Sequence, residues 1–108
     1  MIKEDKENAF EMLFLHSKPV KMLVALKQDD IINATHVSKS VNCTYSHTVK
    51  VLEMFKDYGL VKFDKKGRIK VVKLTDIGTD IAHDFEGIRR KFVKIKVPEK
   101  EASEKSKK

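Results

Sequence analysis

Residues 31–76 constrain the fold more than any other part of the chain, because patterns typical of three successive elements follow one another there without a gap. Two short amphipathic segments, 34–41 and 45–58, are separated by Asn42, a residue that tolerates the left-handed backbone of a tight turn. Gly59 stands where helices commonly end, and a stretch rich in β-branched residues follows it. This order predicts two helices joined by a tight turn and followed by a β-hairpin.

The helix predicted at 45–58 has a buried face and an exposed face. Asn33 and Thr44 are placed as N-caps of the two helices, and Cys43 fills the apolar position after the turn. The inward stripe has the spacing of a helix packed on a core, and it consists of Thr48, Val51, Leu52 and Phe55. The outward face carries Ser46, His47, Lys50, Glu53, Met54 and Asp57. This outward face is available to solvent or to a partner.

The hairpin (residues 61–74) carries a clear cluster of positive charge. It is predicted as strands 61–64 and 68–74, with the turn signal in residues 64–67. Residues 61–73 have a net charge of +5 from six cations and one anion, namely Lys62, Lys65, Lys66, Arg68, Lys70, Lys73 and Asp64. Such clustering favours contact with a polyanion.

Alternation along the second predicted strand puts Arg68 and Lys70 on one face, opposite Ile69 and Val71. Exposed edge strands often carry lysine because the charge blocks aggregation. A solvated hairpin without a ligand is therefore the plain alternative to a polyanion contact.

The segments before residue 33 indicate less about structure. Ser17 and Pro19 predict the start of a helix of about 18–27, with Ser17 as its cap. Residues 8–16 fit two patterns, since some of their apolar side chains have helical spacing and others alternate as in a strand. Ile31 and Ile32 are expected to form a short strand or a buried connector, and residues 1–7 are expected to be loose.

Thr75 is placed as the N-cap of a last helix, whose apolar stripe consists of Ile77, Ile81, Phe85, Ile88 and Phe92. Gly87 is expected to weaken or end that helix. The chain thus divides into an N-terminal extension (1–16), one folded domain (17–92) and a basic tail (93–108) that is expected to be disordered.

The composition favours a small folded domain with a polyanionic partner. The chain has 108 residues, of which 41% are hydrophobic and 36% charged, and its net charge of +7 gives a pI of about 9.5. The single cysteine, Cys43, excludes an intramolecular disulfide and fits a reducing compartment. No apolar run approaches the length of a membrane span, and no secretory leader follows Met1. We expect a cytoplasmic protein.

Catalytic and metal-binding motifs are missing from the sequence. It contains no glycine-rich phosphate loop, no nucleophile elbow and no paired-cysteine zinc motif. The four histidines, at positions 16, 36, 47 and 83, do not have the spacing of metal ligands. We expect no enzymatic activity, no catalytic residue, no metal and no other cofactor.

Three pieces of the sequence, in this order and at this spacing, resemble winged-helix transcription regulators of the MarR-like and small archaeal types. They are the helix-turn-helix of residues 33–58, the run Tyr58-Gly59-Leu60-Val61, and the run Leu74-Thr75-Asp76-Ile77-Gly78. The resemblance implies an α+β fold, a winged helix-turn-helix with a three-helix core, a β-hairpin wing and an additional C-terminal helix.

In this fold, the N-terminal half of the recognition helix, here 45–58, enters the major groove of DNA. The implied groove residues are Tyr45, Ser46, His47 and Lys50. The hairpin of the fold reaches phosphates or the minor groove, which implies Lys65, Lys66, Arg68 and Lys70. Glu53 and Asp57 would repel phosphates unless the helix enters at a tilt. The plain alternative for both sets is an ordinary solvated surface.

The resemblance also implies a homodimer that binds duplex DNA and regulates transcription, with helix 76–92 as the dimer contact. The long N-terminal dimerisation helix of MarR proteins would be missing or shortened here. A second basic cluster either touches flanking DNA or ends a solvated helix, and it consists of Arg89, Arg90, Lys91, Lys94 and Lys96. Two other functions stay open, a module that contacts protein or RNA and an architectural DNA binder without a preferred site. No small-molecule ligand is evident.

Overall fold

A computed structural model describes residues 6–96 of the chain as five helices and one two-stranded antiparallel sheet. The elements are α1 (Lys6–Phe14), α2 (Ser17–Ala25), α3 (Ala34–Ser40), α4 (Tyr45–Asp57), β1 (Val61–Lys66), β2 (Ile69–Leu74) and α5 (Asp76–Val93). This is the predicted α+β arrangement, with a core of α2, α3 and α4, a hairpin and an additional C-terminal helix. Most of the predicted tail, from residue 97 onward, lies outside the described residues, and its residue 93 closes α5.

Three of the four predicted N-caps are confirmed. The side-chain oxygens of Asn33, Thr44 and Thr75 each accept a hydrogen bond from the backbone N–H three residues on, at 2.9, 3.2 and 3.1 Å. The prediction that Ser17 caps α2 is wrong, because Ser17 is already the first helical residue and the cap position belongs to His16. Pro19 therefore lies in the first turn, where its missing N–H costs no helical hydrogen bond.

Residues 8–16, which fitted both helix and strand, belong largely to helix α1. Lys6 and Glu7, expected to be loose, form its first turn. Ala9 and Leu13 are buried, while Phe14 lies against Phe85 of α5 with ring centroids 5.3 Å apart. Within residues 6–96 the only sheet is β1–β2, so a strand at this place would have had no partner to satisfy its backbone.

The core is built around α4, and its four predicted inward side chains are all buried. Phe55 and Leu52 meet Leu23 and Met22 from α2 and Val37 from α3. The buried hydroxyl of Thr48 donates to the carbonyl of residue 44 at 2.8 Å, so its burial leaves no polar group unpaired. Helix α4 is therefore held on the core by one face along its whole length.

The hairpin has a longer first strand, a second strand shorter by one residue, and a tighter turn than the sequence predicted. Strand β1 runs on to Lys66, which pairs with Ile69, so the turn consists of Gly67 and Arg68 rather than residues 64–67. Gly67 has φ +63°, and two-residue hairpin turns favour glycine with positive φ at this place. The prediction that Arg68 lies in the strand is wrong, and it lies instead at the tip.

The segment before α3 is a connector rather than a strand. Ile31 packs against the core, and the carbonyl of Ile32 accepts a hydrogen bond from the N–H of Val72 at 2.9 Å. This bond ties the entrance of α3 to β2. The base of the hairpin is thus fixed to the helix-turn-helix as well as to the core.

The two runs that flank the hairpin meet in space. The hydroxyl of Thr75 donates to the carbonyl of Gly59 at 2.6 Å, and its N–H donates to the carbonyl of Leu60 at 3.0 Å. Gly78 packs directly on Leu60, where a Cβ atom would overlap that carbonyl. The glycine of the Leu-Thr-x-x-Gly run is therefore required for close contact between helix and hairpin base.

Helix α5 continues past Gly87 to Val93, so of the two expected effects of Gly87, weakening or ending the helix, the second is wrong. The helix is joined to the turn that follows α2 by an ion pair between Lys27 and Glu86, with Nζ and Oε1 2.5 Å apart. The hydrogen bond from the Lys27 ammonium lowers the pKa of the Glu86 carboxyl from its ordinary value. Packing against α2 and the hairpin base holds the helix together without a side chain at position 87.

Candidate nucleic-acid interface

The turn between α3 and α4 sets the direction of α4. Asn42 has φ +57°, as its place in the sequence predicted. The N–H of Cys43 donates to the carbonyl of Ser38 at 2.9 Å, and Ser38 is buried where the helices cross. Cys43 itself is only half-buried, although it packs against the core as expected. The predicted helix-turn-helix is formed in this way.

The outward face of α4 carries the side chains proposed for groove contact. Ser46, His47 and Lys50 are exposed and lie within the first two turns of the helix. Tyr45 is 59% exposed, so its side chain is accessible at the surface as well. The N-terminal half of α4 is therefore accessible to a partner over its polar face.

A cleft of about 350 Å³ lies between the start of α3, the face of α4 and strand β2. Tyr45 lines one wall, and Arg68 and Lys70 line the other. The structure thereby brings one predicted groove residue and two predicted hairpin residues to a single concave surface. The other candidates, Ser46, His47, Lys50, Lys65 and Lys66, are exposed outside the cleft.

The hairpin register places like charges directly opposite each other. Lys65 pairs with Lys70, and Lys62 pairs with Lys73. Opposed cations on an antiparallel pair repel each other, so an anion between or above them lowers the energy of the folded hairpin. The sequence alone did not reveal these pairs, because the register depends on the two-residue turn.

Simple alternation fails at the base of β2. Val71 and Val72 are both buried, and Ile69 is 50% exposed near the tip, where the core no longer reaches it. The predicted opposition to Ile69 and Val71 is wrong for Arg68, which lies outside the strand, whereas Lys70 still alternates with them along β2. Lys70 places its ammonium 4.8 Å from the centroid of the Phe63 ring.

Phe63 also receives a cation from α4. The Lys56 ammonium lies 5.6 Å from the same ring centroid, within the range of cation–π attraction. The ring thus contacts one lysine from the recognition helix and one from the hairpin. This contact joins the end of α4 to β1 and holds part of the positive charge close to the protein.

Two carboxylates on α4 work against an anionic partner. Glu53 is half-buried and lines the cleft that contains Arg68, whereas Asp57 is exposed at the end of the helix. Both lie in the C-terminal half of α4, away from Ser46 and His47. Contact through the N-terminal half alone keeps phosphates away from Asp57.

The second basic cluster forms the exposed C-terminal end of α5 and the residues after it, with Arg89, Arg90, Lys91, Lys94 and Lys96 all at the surface. Arg90 and Lys91 lie in the last turn, where cations stabilise the helix dipole. This stabilisation accounts for part of the cluster without a partner.

Comparison with solved structures identifies the architecture. A crystal structure of AF1382 from Archaeoglobus fulgidus superposes with a TM-score of 0.65 at 23% identity, covering 81% of this chain and 98% of that one. AdcR, the adhesin competence repressor of Streptococcus pyogenes, superposes with a TM-score of 0.67 at 15% identity over 99% and 91% of the two chains. The chain has the winged-helix fold.

A further winged-helix structure contains DNA. The Staphylococcus aureus MepR–DNA complex superposes with a TM-score of 0.64 at 17% identity, covering 86% of this chain and 79% of that one. MepR and AdcR are MarR-family transcription regulators. The fold that the sequence resemblance implied for this chain is confirmed. No protein-family model and no curated protein matches the sequence.

The described part of this winged-helix chain contains neither a cluster of metal ligands nor a membrane-spanning helix. Among residues 6–96, no three histidine, cysteine or carboxylate side chains lie together where they could hold a metal ion. No helix within the same residues has the length and apolar character that crossing a bilayer requires.

Proposed function

We propose that this winged-helix chain binds duplex DNA at preferred sequences and regulates transcription. The observation that carries the proposal is the exposed polar face of α4, with Ser46, His47 and Lys50, beside a hairpin whose tip carries Lys65 and Lys66. Polar side chains on a helix and cations on an adjoining hairpin can contact the bases and the phosphates of one duplex. The solved MepR–DNA complex supports this reading by likeness of fold.

In the proposed mechanism the two elements divide the work. Ser46, His47 and Lys50 on α4 reach base edges in the major groove, where lysine recognises guanine acceptors and serine and histidine donate or accept. Lys65, Lys66 and Arg68 at the hairpin tip neutralise phosphates or enter the minor groove. The α4 contacts select the sequence, and the hairpin contacts supply affinity.

The first test is a salt titration of binding to a fluorescent duplex of random sequence, about 30 base pairs long, with a single-stranded control. Log affinity should fall steeply with log salt concentration, because each phosphate contact releases condensed counterions. The duplex should be preferred over the single strand. A protein with little affinity for duplex even at low salt would contradict the proposal and favour a module that contacts another protein.

Sequence selection is tested with His47→Ala and Lys50→Ala. Each variant should lose about 1–3 kcal/mol of discrimination between a selected site and random duplex, since base-edge contacts are lost. Binding to random duplex should change much less, and it serves as the internal control. A wild-type affinity ratio near one between selected and random DNA would instead identify an architectural binder.

The proposed active form is a homodimer that buries an apolar surface shared by α1 and α5. Phe10 and Leu15 at one side and Ile88 and Phe92 at the other are large apolar side chains left exposed, with Phe92 73% exposed. A groove between the two helices is lined by Phe10, Phe14, Phe85 and Ile88 among others. Exposed apolar area of this kind is typical of an interface, and in a two-fold symmetric dimer each protomer would bury this same surface against the other.

The dimer is tested with Ile88→Glu combined with Phe92→Glu. The variant should sediment as a monomer at micromolar concentration, because the four added carboxylates of a dimer would lie in its apolar seam. Thr79→Glu, an exposed change on the same helix, is the control and should leave the dimer intact. A wild-type protein that is monomeric at the same concentration would exclude this interface.

A further inference from the structure

Lys18 reaches from α2 to the turn that directs α4. Its ammonium donates hydrogen bonds to the carbonyl oxygens of Val41 at 2.6 Å and of Asn42 at 3.1 Å. These two residues end α3 and form the left-handed turn. A lysine 23 residues earlier in the sequence thus contacts the backbone on which the crossing of α3 and α4 depends.

The placement of this lysine is unfavourable for α2 itself. Lys18 lies in the first turn of α2, where the helix dipole disfavours a cation. The last carbonyls of α3 lack intrahelical donors and carry the negative end of that helix's dipole. The Lys18 ammonium therefore interacts favourably with this partial negative charge. It also supplies donors to two carbonyl oxygens that would otherwise bond to water. Lys18 is also half-buried, and its hydrogen bond to Val41 is partly shielded from solvent, whereas the bond to Asn42 is exposed.

The turn has two other fixed points, both internal to the helix-turn-helix. Asn42 supplies the positive φ, and the N–H of Cys43 bonds to the carbonyl of Ser38. The contact from Lys18 joins this turn to α2 by hydrogen bonds, in addition to the packing of Val41 in the same core as Met22 and Leu23. The direction of α4 therefore depends on the core as well as on α3.

We propose that Lys18 is a positioning residue for DNA binding, which fixes the turn at Val41 and Asn42 and so holds α4 at the angle that its groove contacts need. This inference rests on the proposed function. Because the ammonium is bound to backbone carbonyls, Lys18 contributes to affinity without contacting a phosphate. This separates it from the lysines of the hairpin, although all carry the same charge.

The test compares Lys18→Met, which keeps the aliphatic stem, with Lys18→Arg, which keeps the charge and can donate to both carbonyls. Lys21→Met is the matched control, since Lys21 is exposed one turn further along α2. Binding of each full-length variant to a selected duplex is measured across a salt series. Amide hydrogen exchange at Cys43 is followed by NMR in the free protein.

In Lys18→Met, exchange at Cys43 should be about tenfold faster, because hydrogen bonds from a charged donor are lost beside that amide. Affinity for the selected duplex should fall about three- to tenfold, since the competent direction of α4 is less populated. The slope of log affinity against log salt should equal that of the wild type. Lys18→Arg should restore both exchange and affinity, and Lys21→Met should change neither exchange nor affinity.

Two results would overturn the inference while leaving the proposed function standing. One is wild-type affinity and exchange in Lys18→Met, which would mean that the turn needs no support. The other is a salt slope reduced by about one in that variant, which would make Lys18 a direct phosphate contact. If the wild-type protein itself bound no duplex, the proposed function would fail first, and the role of Lys18 in DNA binding would fail with it.

Discussion

Gly78→Ala should destabilise the protein by about 3 kcal/mol, because the added methyl group has no space. Its Cβ would overlap the backbone carbonyl of Leu60. That carbonyl cannot move aside cheaply, since it accepts the hydrogen bond from Thr75, and the N–H of Leu60 donates to Phe55 at 2.8 Å. The added methyl group would therefore overlap a peptide unit that hydrogen bonds hold in place on both sides. We expect α5 to separate from the hairpin base, because this relieves the overlap.

Gly87→Ala is the matched control in the same helix. A Cβ at position 87 meets nothing within 4 Å, so only helix propensity changes. This variant should be more stable than the wild type by about 0.5–1 kcal/mol. Urea unfolding followed by far-UV circular dichroism measures both changes. Equal stability of Gly78→Ala and the wild type would show that α5 does not approach the hairpin as closely as described.

The hairpin tip should account for a large share of DNA affinity. Lys65→Ala combined with Lys66→Ala should weaken binding to every duplex by about tenfold or more near 0.1 M salt and reduce the salt slope by about two. The loss should be the same for selected and random sequences, because phosphate contacts carry no base information. Folding stability should stay level or rise slightly, since Lys65 no longer opposes Lys70.

A charge-matched control separates the tip from the overall charge. Lys62→Ala combined with Lys73→Ala removes the same number of cations from the pair at the base of the hairpin. This variant should lose less affinity than the tip variant, measured by fluorescence anisotropy across the same salt series. Equal losses would mean that net charge, rather than the position of the tip, attracts DNA.

Local signals in the sequence were enough to predict much of this fold. Asn33, Thr44 and Thr75 cap the helices they precede, and Asn42 takes the left-handed conformation. These features depend on residues within four positions of one another, so a sequence displays them directly. The helix-turn-helix followed from them, while the hairpin followed from its β-branched residues and turn signal, and the exposed face of α4 from its apolar spacing.

Features that depend on distant residues could not be read from the sequence. The helical state of residues 8–14 depends on packing against α2 and α5, and local periodicity left it undecided. The opposed lysines of the hairpin depend on the strand register, which one residue of turn length would shift. The contact of Lys18 joins elements that are 23 residues apart. For the candidate site, the sequence was therefore enough to propose residues but not to predict how they pair.

The hairpin base and the first turn of α5 are joined by Thr75 and by the close approach of Gly78 to Leu60. We therefore expect them to move as one rigid piece. From that piece α5 extends for 18 residues, or about 27 Å, toward the apolar end that we assign to the dimer. In such a dimer, a small rotation of α5 at the seam would displace the hairpin tips by a larger distance, because the tips lie far from the axis of rotation. The spacing of two half-sites on DNA would then depend on the geometry of a seam that touches no DNA.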